Sequence, residues 1–290
     1  IGPGGPGFGK QTTLGVTATL MLYEDATAME KIAGLLGKVE DARGYAALAS
    51  RVAAAFHARF FNAETGLYDK GSQTANAMPL ALGLVPEERR AGVLARVVAD
   101  IHAHDDHVTT GEIGYPYMLR ALMASGRSDV VMAMMMRKDP PSYGSQLEAG
   151  ATALTEAWDA NPQSSQDHFM LGGAEEWFYR GLGGIDFDMS RAKDERITIR
   201  PRLVAGVDWV RCSYDSRLGM VKSAWMRQDG VTTLEVTVPA NASAAVWVPV
   251  REGETVSSGD SVGVVKLRDE HGAVVYRVSS GAYEFVVKGS

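Results

Sequence analysis

The apolar residues change period once along the chain, near Met189–Glu195. That change constrains the possible folds more than any single motif does. Before it the spacing is helical: Val93, Leu94, Val97, Val98 and Ile101 mark one face, and Tyr45, Leu48, Val52, Phe56 and Phe60 another, because residues three and four apart share a side of a 3.6-residue turn. Pro86 opens the helix of the first stripe, with Glu87 and Glu88 in its first turn, where the helix dipole favours carboxylates. Further helices are predicted over Leu14–Gly37, Gln73–Leu84, Tyr115–Ser125, Asp129–Arg137 and Gln166–Leu182, with Ser128 and Ser165 as caps. After Glu195 the period is two. Leu234, Val236 and Val238 alternate with Thr233, Glu235 and Thr237. Similar runs occur at Ile197–Ile199, Val207–Tyr214, Met220–Met226, Ala244–Val248, Val262–Leu267, Val274–Val278 and Tyr283–Val287, and turn residues such as Asp229-Gly230, Pro239-Ala240-Asn241, Ser258-Gly259-Asp260 and His271-Gly272 separate them. The expectation is a helical region over residues 1–188 and an antiparallel β-sandwich over 189–290. No low-complexity linker joins them, so they are expected to pack together.

Helices that follow one another without strands fit helical repeats, a bundle or an α/α toroid, and the lack of a fixed internal period disfavours a solenoid. At 290 residues the chain has room for two domains. A net charge of -6 argues against nucleic acid or an anionic membrane surface as partner. No apolar run reaches membrane-spanning length. Cys212 is the only cysteine, so no internal disulfide can form. The opening Ile1-Gly2-Pro3-Gly4-Gly5-Pro6 has neither the charged head nor the apolar stretch of a signal peptide, and it reads as a cut from something longer.

Three features resemble sites but have plainer explanations. Gly4–Thr12 nearly matches a phosphate loop, yet Gln11 stands where the magnesium-binding Ser or Thr belongs, no strand precedes it, and Pro6 removes an amide. His102, His104, Asp105, Asp106 and His107 have metal-ligand character, but they follow a helix end, where a polar loop with dipole-complementing histidines is the better reading. A place at the mouth of a helical barrel, near a sugar, is intermediate. Met132, Met134, Met135 and Met136 read as adaptable core. No metal or cofactor is expected.

The most informative stretch runs from Tyr143 to Asp159, followed by Ser164-Ser165-Gln166-Asp167-His168-Phe169. It gathers carboxylates, aromatics and a histidine. Sugars need that mixture: rings pack on C–H faces and carboxylates accept from hydroxyls. Glu148 and Glu156, eight apart, would share a face of one helix, although Gly150 interrupts it. A helix end dressed with surface acids explains the residues equally well.

Here the sequence resembles glycoside hydrolase family 78, the bacterial α-L-rhamnosidases. The family's Gly-Ala-Thr-Thr-x-Trp-Glu-x-Trp-Asp motif corresponds to Gly150-Ala151-Thr152-Ala153-Leu154-Thr155-Glu156-Ala157-Trp158-Asp159, and its Ser-x-Asn-His to Ser165-Gln166-Asp167-His168, then Trp177-Phe178-Tyr179-Arg180 and Gly183-Gly184-Ile185. Ser72-Gln73-Thr74-Ala75 and Thr110-Gly111-Glu112-Ile113-Gly114 match earlier blocks, and Pro239-Ala240-Asn241 and Ser280-Gly281-Ala282-Tyr283 match later ones.

The resemblance implies part of an (α/α)6 toroid followed by a β-sandwich, and hydrolysis of terminal α-L-rhamnose with inversion. It carries the general base onto Glu156 and a sugar contact onto His168, with Trp158 and Asp159 in support. Glu112, His107 and Tyr143 complete the residues expected at the sugar. The partner expected is a rhamnose-containing glycoside. Thr155 replaces a family tryptophan, Asp167 replaces the usual Asn, and the family's general acid lies upstream of everything seen here. About six or seven helices are readable where six hairpins need about twelve. A non-catalytic sugar-binding remnant is the rival. A lyase is disfavoured, since no Arg or Lys stands near Glu156. With half a toroid, stripes such as Val93, Val97 and Ile101 need a partner, either a second copy or the missing half.

Overall fold

A computed structural model describes residues 11–159, 161–259, 262–270 and 272–289. Apart from Gln11 and Thr12, the phosphate-loop-like stretch lies outside these residues. The chain divides into two compact units, the first ending at Ala174 and the second beginning at Glu175.

The first unit is helical. α1 (Leu14–Leu35) and α2 (Val39–Phe60) form a hairpin, turned by Gly37 at a φ of +71° that only glycine adopts without strain. A short β-ribbon, β1 (Phe61–Asn62) with β2 (Leu67–Tyr68), leads into α3 (Gln73–Ala81). Then come α4 (Glu87–Ala103), α5 (Gly114–Ala124), α6 (Ser128–Met135) and α7 (Tyr143–Glu148). α3 is buried from Gln73 to Pro79, so it is the helix around which the others assemble. Val16, Leu20, Phe56, Tyr68, Met78, Val85 and Val93 form one core cluster with it.

Two expected caps fall elsewhere. Ser128 is the first helical residue of α6, preceded by Arg127, and Ser165 lies in a non-helical segment. The capping serines are Ser72, which accepts from the Ala75 amide, and Ser142, which accepts from the Ser145 amide. The helix predicted over Gln166–Leu182 is also corrected. It begins only at Phe169 and breaks into a 3-10 turn (Phe169–Gly173), one α-turn (Ala174–Glu176) and a π-helical turn (Trp177–Leu182). Val93, Val97 and Ile101 are buried within the chain itself, so that stripe needs no outside partner. Among the described residues, α1 carries an uncovered apolar face, where Leu14, Met21, Leu22, Met29, Ile32 and Leu35 are exposed.

After the π-helical turn, the second unit is β-rich. Its strands are β3 (Ile185–Phe187), β4 (Ile197–Ile199), β5 (Trp209–Ser216), β6 (Gly219–Gln228), β7 (Val231–Val238), β8 (Ala244–Pro249), β9 (Glu254–Ser257), β10 (Val264–Glu270), β11 (Ala273–Val278) and β12 (Gly281–Gly289). They make two five-stranded sheets, ordered β10-β11-β8-β4-β3 and β5-β6-β7-β12-β9. The period of two sends Ala244, Val246 and Val248 of β8 inward to meet Trp225, Leu234, Val236 and Phe285 of the other sheet, the packing of a sandwich. Asp229 and Gly230 both have positive φ, 51° and 76°, as a two-residue hairpin turn between β6 and β7 requires. One pairing departs from the antiparallel expectation: β4 runs parallel to β8, with Ile197 opposite Ala244.

Candidate active site

α7 ends in a glycine motif. Gly150 has a φ of +85°, its amide bonds the Leu147 carbonyl, and the Ala151 amide bonds that of Gln146. Glu148 is therefore exposed at a helix end and shares no helical face with Glu156. The chain then continues without regular structure, and Leu154–Glu156 pairs with Ser165–His168 through Glu156 N–H to the Ser165 carbonyl at 3.0 Å and His168 N–H to the Leu154 carbonyl at 2.8 Å. This pairing fixes Glu156 and His168 on facing segments. The Ser165 amide also donates to Glu156 Oε2 at 3.1 Å, so the half-buried carboxylate is held by backbone on both its main-chain and side-chain ends.

His168 reaches a second element. Its Nε2 stands 3.0 Å from Glu112 Oε2, at ion-pair distance but outside hydrogen-bond alignment. Glu112 lies in the loop just before α5, and that loop approaches α3 closely: a Cβ on Gly114 would stand 2.2 Å from Thr74 Oγ1, so glycine is required there. His107 is fixed by other partners. Its carbonyl accepts from the buried Gln73 amide at 3.3 Å, Gln73 Oε1 accepts from Thr109 N–H, and His107 Nε2 lies 3.2 Å from Asp139. His102 and His104 face Asp106 and Asp100 across their own helix end. Among the described residues, no three His, Cys, Asp or Glu side chains are grouped as a metal site.

The aromatic residues form a wall behind this array. Trp158 is 3% exposed, and its indole N–H donates to the Thr110 carbonyl at 2.9 Å. It meets Tyr115 and Tyr143 edge to face, with centroids 5.1 and 5.2 Å away. The Tyr143 hydroxyl donates to the Leu171 carbonyl. Burial pushes the Tyr143 phenol up to about 12, and burial together with Tyr143 raises Tyr115 further. Both Trp158 and Tyr143 therefore have committed polar ends and stand as supports. Asp159 is exposed, and it accepts from the Asn161 amide at 3.2 Å, fixing its own loop. Thr155, where the resemblance expected a tryptophan, turns inward and donates to the Ala157 carbonyl.

The structure thus brings Glu156 onto one paired segment with His168, His168 to Glu112, and Trp158 to Tyr143. Among the described residues, neither the His107 nor the Asp159 side chain hydrogen-bonds or ion-pairs with any of these. Three features went unassigned in the sequence reading. Phe169 is 84% exposed and lies parallel to the His168 ring at 6.0 Å. Thr110 Oγ1 and Gln146 Nε2 are buried with no hydrogen-bond partner among the described residues. The signal for Phe169 was its place after a histidine, at the start of a helix it does not help to bury.

A unit of helical hairpins with acids and histidine gathered on its loops, followed in sequence by a two-sheet β unit, is the layout of a hairpin-toroid glycosidase. The chain belongs to the bacterial α-L-rhamnosidase 6-hairpin glycosidase domain family, whose model matches residues 3–182, and a model of the bacterial α-L-rhamnosidase C-terminal domain matches residues 195–263. It is 32% identical over 286 residues to an α-L-rhamnosidase of Streptomyces avermitilis, covering 96% of this chain and 27% of that protein. An α-L-rhamnosidase structure from Dictyoglumus thermophilum matches with a TM-score of 0.88 and 30% identity, over 98% of this chain and 33% of that one. The Streptomyces avermitilis α-L-rhamnosidase solved with L-rhamnose matches at 0.84 and 31%, over 94% and 27%. The chain therefore spans about a third or less of the relatives it matches.

Proposed function

We propose that this chain supplies the base-bearing wall of an α-L-rhamnosidase active site, with Glu156 as general base in an inverting hydrolysis. The observation that carries the reading is the double tether of Glu156, through its amide and its carboxylate, to the segment that bears His168. Membership of the rhamnosidase family supports the substrate class. Glu156 would take a proton from water as the water oxygen attacks the anomeric carbon. The glycosidic C–O bond breaks on the opposite face, and a second carboxylic acid protonates the leaving oxygen, roughly 6.5–9.5 Å from the first in inverting enzymes. His168 and Glu112 would hold sugar hydroxyls, with Phe169 beside them as an apolar face. Trp158, Tyr143 and Asp159 keep the loops in place, and His107 would border the site.

Within the chain Glu112 is the nearest substitute for the acid, but it is engaged with His168. The reading therefore assigns the acid to residues outside this chain. That same engagement favours a second reading, a sugar-binding wall without catalysis of its own. The assay uses the purified chain and an aryl α-L-rhamnoside with a poor leaving group, followed by NMR to see which anomer of rhamnose forms first. The chain alone should be inactive. In an active form of the protein, Glu156→Gln should lower kcat by about a hundred- to ten-thousand-fold and the first product should be the β anomer. Turnover by the chain that a Glu112→Gln change abolishes would place the acid at Glu112. First release of the α anomer would rule out inversion.

The exposed apolar face of α1 supports a further part of the reading. The chain is similar to only a third or less of its relatives, and this face fits the neighbouring helices of a closed toroid. In the isolated chain, a second copy takes their place.

A further inference from the structure

The β-rich unit contains a cavity of about 520 Å³, lined by Glu176 just before the π-helical turn, Tyr179 and Arg180 of that turn, Ile185, Asp186 and Phe187 of β3, Asp188, and Tyr214 of β5. Its size lies within the roughly 300–1,000 Å³ of small-ligand pockets. One part of its lining is aromatic. Tyr214 is 43% exposed, with Tyr179 set edge-on to it at 6.4 Å and Phe187 tilted against it at 6.0 Å. The other part is a fixed polar array. Arg180 joins Glu176 at 2.5 Å and Asp186 at 2.9 Å, and Arg191 joins Asp186 at 2.7 Å and Asp188 at 3.4 Å.

The floor is rigid. Leu182 O accepts the Trp225 indole N–H at 2.8 Å, and Gly181 O accepts the Arg202 amide at 2.9 Å. A Cβ on Gly181 would meet the Trp177 ring at 2.4 Å, so only glycine lets that ring lie against the turn. π-helical turns cost regular helix hydrogen bonding and occur often at functional sites.

We infer that this cavity binds a neutral sugar unit, with its C–H face on Tyr214 and its hydroxyls on the Arg180–Asp186–Glu176 array. The charge balance selects the class. The lining holds three carboxylates and the Arg180 guanidinium, with Arg191 paired to Asp186 and Asp188 from outside it, so a phosphate or carboxylate ligand meets a surplus of like charge, and a cation meets carboxylates already paired with arginine. A neutral polyol needs neither charge and can use both the donors and the acceptors, while the rings exclude water from its apolar face. The inference does not depend on the role given to Glu156, because every lining residue belongs to the second unit, and Arg191, outside the lining, only pairs with Asp186 and Asp188.

The test is a titration of the intact 290-residue chain with L-rhamnose, D-glucose and D-galactose, by saturation-transfer NMR and calorimetry. The variants are Tyr214→Ala, Arg180→Gln and, as a marker of the first unit's site, Glu156→Gln, each checked for folding by circular dichroism. Saturable binding of at least one sugar is expected, weakened about tenfold or more by Tyr214→Ala and by Arg180→Gln and retained in Glu156→Gln. Absence of saturable binding for all three sugars would overturn the inference. Binding lost in Glu156→Gln but unchanged in both cavity variants would also overturn it, leaving the proposed active site as the only sugar site detected. Should Tyr214→Ala fail to fold, Arg180→Gln decides, since its side chain is half exposed and its removal leaves the sheet intact.

Discussion

Glu112 Oε2 and His168 Nε2 stand 3.0 Å apart, linking the loop before α5 to the segment that pairs with Glu156. The two groups lie at ion-pair distance without hydrogen-bond alignment. A double-mutant cycle of Glu112→Ala and His168→Ala, read by denaturant unfolding, should give a coupling of about 1 kcal/mol. A coupling of zero would remove the pair from any account of how His168 is positioned.

Phe169 keeps its ring in solvent beside His168, an apolar exposure that the fold itself does not use. Phe169→Ala should leave the unfolding midpoint nearly unchanged and, in an active form of the protein, raise KM for the rhamnoside several-fold at little cost to kcat. Equal loss in kcat alone would show that the ring does not contact the ground-state sugar.

Tyr143 gives a pH signature. Its phenol is pushed up to about 12 by burial, against about 10 when unfolded. A group whose pKa is raised in the folded state contributes stability that is fully present below the unfolded value and is lost as pH climbs through the folded one. The expected loss is roughly 2 kcal/mol between about pH 10 and pH 12. Tyr143→Phe should flatten that part of the curve, although it also removes the hydroxyl's bond to the Leu171 carbonyl and so lowers stability at neutral pH. Unfolding midpoints across this range, for both proteins, check the sign.

The uncovered face of α1 should make the isolated chain associate. Light scattering over a concentration series should give a mass above 31.1 kDa that returns to the monomer value in a Leu22→Glu, Ile32→Glu variant. A monomer at all concentrations would show that the face is tolerated in water as it stands.

The two-region plan was legible because periods of 3.6 and two survive any tertiary arrangement, and the eight predicted strand runs from Ile197 onward overlap observed strands. What failed to read was set by contacts distant in sequence. Gln166–Leu182 has helical spacing, but the pairing with Leu154–Glu156 holds its first residues outside the helix, and Gly172, Gly173 and Gly181 weaken the rest. β3 and β9 are edge strands of three and four residues, too short to set up a period. Ser165 resembled a cap by composition, while its backbone serves the site segment instead. In the candidate site, Glu156 and His168 came from the family motif. Their backbone pairing and the tie from His168 to Glu112 depend on loop geometry that spacing cannot encode.

The parallel pairing of β4 with β8 bears on the order in which the β unit can form. β5, β6 and β7 are neighbours in sequence and can zip together as a meander while the chain is still emerging from the ribosome. β4, by contrast, has no neighbour on its β8 side until Ala244 arrives opposite Ile197, and β11 and β12 must follow to complete both sheets. The sheet holding β3 and β4 therefore depends on late contacts of high sequence separation, the kind that slows folding. Until they form, the apolar sides of Ile197 and Ile199 remain open to aggregation. Substitutions along β8 should for that reason affect soluble yield more than their cost in equilibrium stability implies.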